Sequence, residues 1–408
     1  MQSTFWIKAR YVFLLLLAFL ITISSHPAIV DMSKGAGLTQ GSILSKYIIL
    51  VFGLLFVFCF NLRSIWQLKL IRKSLFIFMW ILFFHLLTVA FFGTKTMLGD
   101  ARSIAICLVA IMIGWQLELE EKQYKFVLLF YAGLTLFVGL MQVLLNVGGF
   151  EILDQYHTDN KNALGVMLAT SAFVFFFLFM NSKKKGFWKI VLLTLPVFTA
   201  FVLLTIRARA ATLTFAIMVL YILYERFKGK NFLSYLLLGL FLVTIVFLIL
   251  PASVKDYVYN SFFQNYDMGN IDTGRGERNR AALNVLSYNP LFGNLIEKVD
   301  VGWVHNYPLN KLFQYGIVFS LPIIILYLYL LIKTVARTIK ANNHDVFSIG
   351  YYALIIPFII SMAEPTFPFG PGTATVFNFI LFGIALKMDD RSRIAVEFDG
   401  NREMTMSN

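Results

Sequence analysis

Five arginines and one histidine stand out because they interrupt a chain that is otherwise apolar. Arg207 and Arg209 share one junction between apolar runs, and Arg275, Arg278 and Arg280 crowd into one loop that closes on His305 and Asn306. A guanidinium stays charged, and its planar fork makes two parallel hydrogen bonds to phosphate oxygens. Idle charge beside lipid is costly, so such a group calls for an anion, and the anion at that depth is a lipid phosphate or diphosphate. Arg275 would open a short helix, adding unpaired backbone N–H groups and the positive dipole end to its own charge. Arg278 falls one turn on and could share that face. The plainer alternative is that these side chains reach headgroups or pair with Asp267, Asp272 or Glu277. It suits Arg278 and Arg280 better, whereas the ligand reading suits Arg209 and Arg275.

His305 lies in Trp303-Val304-His305-Asn306-Tyr307-Pro308, where the loop meets the next apolar run. An imidazole can take a proton from a hydroxyl near neutral pH, and Asn306 could orient it or a sugar. Trp303 and Tyr307 offer flat faces to a sugar ring, although an interfacial aromatic belt uses the same residues. The outward acids Asp31, Asp100, Glu151, Asp154, Asp159 and Glu364 form no spacing that signals a metal centre. A diphosphate leaving group needs positive charge more than a general acid, so the sequence predicts neither metal nor cofactor.

The elements that must position these groups are transmembrane helices. Hydrophobic residues make up 59% of the 408 and charged residues 14%, with a mean hydropathy of +0.74, far from a soluble domain of this size. Twelve apolar runs recur, at approximately 11–30, 43–60, 75–92, 98–115, 124–147, 162–180, 187–206, 208–224, 231–250, 308–332, 347–363 and 373–386. The expected fold class is therefore an all-α integral membrane protein. Helices one to nine occupy 1–250, a large outer loop 251–307, helices ten to twelve 308–388, and a cytoplasmic tail 389–408.

Most of the 35 Lys and Arg fall in alternate loops. By the positive-inside rule those loops and both termini are cytoplasmic. A net charge of +13 could suggest nucleic acid, yet the basic residues form no single face. Cys59 and Cys107 sit inside apolar runs without metal or disulfide spacing. The first run lacks a small-residue cleavage site and reads as an uncleaved span. In the outer loop, 254–263 has the composition of a segment lying along headgroups. Asn270 to Gly276 reads as a turn, and a short helix from about Arg275 to Tyr288 should end before Pro290.

The stretch Thr273-Gly274-Arg275-Gly276-Glu277-Arg278, followed by Asn289-Pro290-Leu291-Phe292-Gly293, resembles the loop signature of the bacterial O-antigen polymerase and O-antigen ligase superfamily. His305-Asn306-Tyr307-Pro308-Leu309 with Gly316 is similar to its His-Asn motif entering a span. Lys161-Asn162-Ala163-Leu164-Gly165 and Arg209-Ala210-Ala211 resemble two upstream motifs, and the resemblance covers roughly 155–385. Asn279, Asn294 and Ala208 depart from the pattern.

The resemblance implies a GT-C-like, metal-independent, inverting glycosyltransferase of the bacterial inner membrane. Its donor would be an undecaprenyl-diphosphate-linked oligosaccharide on the periplasmic face. Arg209 and Arg275 would hold the diphosphate and His305 would activate the acceptor. Arg207, Arg278, Lys161, Asn162, Asn306, Trp303 and Tyr307 would line the substrate. A flippase and a chain-length regulator of the same pathway would be partners, with membrane lipid and without nucleic acid. The Lys161-Asn162 motif favours a repeat-unit polymerase over a ligase that uses lipid A-core. A polysaccharide transporter or flippase is the alternative from another class. It would need charge deep within spans rather than at one face.

Overall fold

Backbone groups in a hydrocarbon slab find no water, so apolar runs of this length must close their hydrogen bonds internally. The computed structural model describes residues 4–24, 68–94, 96–145, 158–183, 185–206, 208–227, 275–302, 304–341, 344–370 and 373–390, with isolated positions at 53, 66, 233, 234, 237, 248, 252, 255 and 256. Among the described residues there are helices and no strands. They are α1 (Thr4–Ile23), α2 (Lys69–Phe92), α3 (Thr96–Gln116), α4 (Glu121–Leu145), α5 (Thr158–Asn181), α6 (Phe187–Thr205), α7 (Arg209–Phe227), α8 (Arg275–Tyr288), the single turn α9 (Asn294–Glu297), α10 (Tyr307–Lys340) and α11 (Ile349–Ile360). The last, α12, covers 376–390.

Six of these, α2, α3, α4, α5, α7 and α10, are long and apolar enough to cross a membrane. Helices α6 and α11 are shorter apolar segments. Apart from a few isolated positions, the runs at 43–60 and 231–250, the segment 254–263 and the tail beyond 390 lie outside the described residues, as do Arg207 and Trp303. The loop helix expected from about Arg275 to Tyr288 is α8, so Arg275 and Gly276, which the expected turn also covered, belong to the helix.

Small residues let the central helices touch. A Cβ on Gly114 of α3 would stand 2.1 Å from the Ile380 carbonyl, and one on Gly383 of α12 would stand 2.3 Å from that of Ile111. Close backbone approach of this kind replaces the hydrophobic drive that helices lose inside lipid. Asn378 pins the same region, with Nδ2 donating to Thr170 Oγ1 at 2.8 Å and to the Ala353 carbonyl at 2.7 Å.

Polar contacts collect at the two ends of the bundle. At one end Arg10 Nη1 donates to the Gln116 carbonyl at 3.1 Å, Arg337 pairs with Asp389, and Tyr124 stacks on Phe347 at 4.9 Å. At the other, Ser24 meets Thr373 at 3.0 Å and Lys311 meets Asp100 at 2.7 Å. Helix α10 begins at the second end, where the Asn306 side chain caps it by accepting from the Leu309 N–H at 3.0 Å.

Helix α10 then breaks at Gly316, whose φ of 65° and ψ of 179° leave the helical region. The break would strand the N–H groups of Ile317 and Val318. They donate instead to the carbonyls of Pro290 and Leu291, at 2.9 and 3.1 Å. A loop after α8 is thereby sewn into the broken helix, which satisfies irregular backbone inside the bundle. Both glycines at the seam face backbone: a Cβ on Gly316 would lie 2.3 Å from the Leu291 carbonyl, and one on Gly293 would lie 2.5 Å from the Gly316 nitrogen. Phe292 closes the seam by packing on Phe92 and Phe319, with centroids 5.9 and 6.1 Å away.

Because neither glycine of the seam has room for a Cβ, Gly316→Ala or Gly293→Ala should cost about 2 kcal/mol or more. Hydrogen exchange at the Ile317 and Val318 amides should accelerate sharply, and unchanged protection in both variants would refute the seam.

Candidate functional site

Between α11 and α12 the described residues 361–370 are non-helical yet mostly enclosed, so their carbonyls need donors from elsewhere. The Ser361 carbonyl accepts from the Tyr307 N–H at 2.9 Å, Met362 from Asn306 Nδ2 at 3.3 Å, Ala363 from Arg275 Nη1 at 3.2 Å and Pro365 from Asn310 Nδ2 at 3.4 Å. These bonds fix the backbone around Glu364, which is 5% exposed.

A buried carboxylate persists only when donors surround it. Glu364 Oε1 accepts from Arg275 Nη2 at 3.2 Å, and Oε2 accepts from Asn162 Nδ2 at 3.0 Å. His305 Nδ1 stands 3.7 Å from the same Oε2 and has no nearer partner. On the far side of the ring, Nε2 lies 3.4 Å from Arg278 Nη1. Arginine offers only donors, so Nε2 is the acceptor there and the ring proton sits on Nδ1, facing Glu364. One carboxylate thus gathers a helix-opening arginine, an amide and an imidazole whose outer nitrogen carries a lone pair. That set can bind an anion and accept a proton from a hydroxyl.

Four residues singled out from sequence, Asn162, Arg275, Arg278 and His305, therefore meet. Arg209 opens α7 at the same end of the bundle: a Cβ on Gly165, one turn past Asn162, would stand 2.7 Å from the Cβ of Ala208 and 3.3 Å from that of Ala211. Lys161 is helical in α5. Arg280 is exposed two residues past Arg278. Asn306 spends its side chain on the α10 cap and the Met362 carbonyl. Tyr307, expected to offer a face to a sugar, is 2% exposed and stacks on Tyr327 at 5.4 Å, with Phe369 at its edge.

Glu364 is the centre that sequence reasoning missed. Its signal was an acid inside Ser361-Met362-Ala363-Glu364-Pro365, a proline-marked break between two strongly apolar runs. A carboxylate there must be paired. Lys311 was also missed. Its Nζ reaches Asp100 Oδ1 at 2.7 Å, Oδ2 at 2.8 Å and Gln314 Oε1 at 3.1 Å, while Tyr315 donates its hydroxyl to Asp100 at 2.7 Å. The ammonium also lies over the Tyr307 and Tyr315 rings, at 5.3 and 5.8 Å. This knot ties the first turns of α10 to the start of α3.

No family model matches the chain, and no curated protein matches it.

Removing one member of the enclosed Lys311–Asp100 pair leaves the other charge stranded. Lys311→Met should lower unfolding stability by about 3 kcal/mol, and the double change Lys311→Met with Asp100→Asn should recover much of it. Thermal unfolding of the detergent-solubilised protein reads both, and a harmless single change would remove the pair's structural role.

Proposed function

We propose that the chain is a membrane glycosyltransferase that transfers glycan from an undecaprenyl-diphosphate carrier to an acceptor hydroxyl, as a repeat-unit polymerase for O-antigen, capsule or exopolysaccharide. What carries the reading is the convergence of Arg275, Asn162 and His305 on Glu364, with Arg278 against the outer nitrogen of His305, at one end of a helical bundle. Arg275 and Arg209 hold the diphosphate, and Arg278 adds charge beside them. His305 Nε2 takes the proton of the acceptor hydroxyl as its oxygen attacks the anomeric carbon. The bond from that carbon to the diphosphate oxygen breaks, the electron pair leaves with the diphosphate, and the anomeric centre inverts. Fixed positive charge at the leaving group supplies most of the acceleration, and the base supplies the rest.

We read the remaining apolar runs as spans too, which gives twelve. Basic side chains near the opposite end, among them Arg10, Lys125, Lys189, Arg226, Lys333, Arg337 and Lys387, make that end cytoplasmic and the site periplasmic in a bacterial inner membrane. Transport is the weaker reading because, among the described residues, the buried charged side chains Arg10, Lys311 and Glu364 lie near helix ends. A conduction path would place them at mid-depth. The acceptor separates a polymerase from a ligase: lengthening of a diphosphate-linked repeat without lipid A-core supports the first, and strict dependence on that core supports the second.

Arg275→Ala and His305→Ala, made separately and reconstituted in membranes with a diphosphate-linked repeat unit, should each abolish polymer on gels. Arg275→Lys should lose at least about tenfold, since the bidentate fork is gone. Polymer made by both alanine variants would remove the mechanism. Tyr288, 84% exposed on the site-bearing loop, should as Tyr288→Cys react with an impermeant maleimide added outside intact cells. Labelling only after lysis would reverse the topology.

A further inference from the structure

An acid held against the very arginine that should bind an anion needs an explanation of its own. Glu364 cannot move far, because the carbonyls of residues 361, 362 and 365 are each held by a donor from α10 or its cap. Arg275 can. Its side chain is 37% exposed, and both of its hydrogen bonds, to Glu364 and to the Ala363 carbonyl, are long at 3.2 Å. Arg278 is exposed and makes a still longer contact of 3.4 Å with His305 Nε2, the one ring atom able to accept a proton. On the other side of the ring, Nδ1 is 3.7 Å from Glu364, one small step from a hydrogen bond, with no competing partner.

We propose that Glu364 is a placeholder for the substrate's anion. In the resting site it occupies Arg275 while Arg278 covers the lone pair of His305. A bound lipid diphosphate takes both arginines, uncovers Nε2 and leaves Glu364 to His305 Nδ1. The exchange rests on the reading of the site as one for a lipid diphosphate. The physical basis is competition for one donor set: a diphosphate carries more charge than a carboxylate and accepts both forks bidentately. Once Arg275 departs, the Glu364 charge is less compensated and draws the Nδ1–H of His305 into a hydrogen bond, which fixes the ring with Nε2 facing the acceptor. Glu364 is then a positioning residue that withholds the base until the donor is in place.

The test uses full-length protein in nanodiscs, with undecaprenyl diphosphate and inorganic diphosphate as separate probes. Affinity is measured for wild type and Glu364→Gln, and modification of His305 by diethyl pyrocarbonate is followed by peptide mass spectrometry. Gln keeps an acceptor for Asn162 but releases Arg275, so Glu364→Gln should bind undecaprenyl diphosphate about fivefold tighter, the scale of a half-exposed ion pair. In wild type, His305 should be modified several times faster once the lipid is bound. Arg278→Ala should show that faster rate without lipid, which tests the cover independently of how Glu364→Gln folds.

Equal or weaker binding by Glu364→Gln, or protection of His305 by the lipid, overturns the exchange. Equal affinity for inorganic diphosphate keeps the exchange and overturns the carrier-lipid source. Failure of wild type to bind either probe overturns the reading of the site itself, and Glu364 then has nothing to stand in for.

Discussion

The arrangement at the site end depends on one constraint: a carboxylate 5% exposed beside a membrane must be surrounded by donors, and no single element can supply them. Glu364 draws Asn162 from the start of α5, Arg275 from the start of α8 and His305 from the approach to α10. Elements far apart in sequence are therefore held to one point. The same requirement explains the irregular segment around it, whose carbonyls accept from Asn306, Asn310, Arg275 and the Tyr307 N–H. Non-helical backbone survives inside a bundle only where protein groups replace water. Where helices break, polar side chains must gather, and where polar side chains gather, chemistry becomes available.

The kink at Gly316 extends that logic. Breaking α10 frees two N–H groups, and the Pro290–Gly293 loop satisfies them. This fixes the height of α8 and so of Arg275 and Arg278 above Glu364. In sequence, the Pro-x-x-Gly stretch and the distant Gly316 look like two separate motifs. In space they are the two halves of one backbone contact, each a glycine because the other's backbone leaves no room for a Cβ.

Much of this was legible in the residues, and the limits have physical causes. The length and composition of the apolar runs located α3, α4, α5, α6 and α7 closely, and the span of α8 was readable from its flanking turn and Pro290. Arg275 was conspicuous because charge beside lipid needs a reason, and His305 because it stands with Asn306 at the mouth of an apolar run. Glu364 was not, since its role lies in contacts with residues 202 and 89 positions away, and a lone acid in a loop has no local pattern. Tyr307 was misleading for the opposite reason. An aromatic at a span mouth suits an interface or a sugar, but the enclosed Lys311 draws it inward as a cation–π partner.

Two ion pairs at the same end of the bundle also differ in kind. Lys311–Asp100 is short, bidentate, supplemented by Tyr315 and Gln314, and largely enclosed, with side-chain exposures of 6% and 20%. Arg275–Glu364 is 3.2 Å long and open on the arginine side. An enclosed, fully satisfied pair resists exchange because either partner alone would be stranded, whereas the half-exposed Arg275 can be drawn to a stronger anion because Asn162 and the nearby His305 Nδ1 remain to Glu364. The first therefore behaves as a foundation beneath α10, and the second as a contact that a ligand can displace. Having both at one end of the bundle, with the Glu364 segment bonded to the first turn of α10, lets the site change partners without moving that helix.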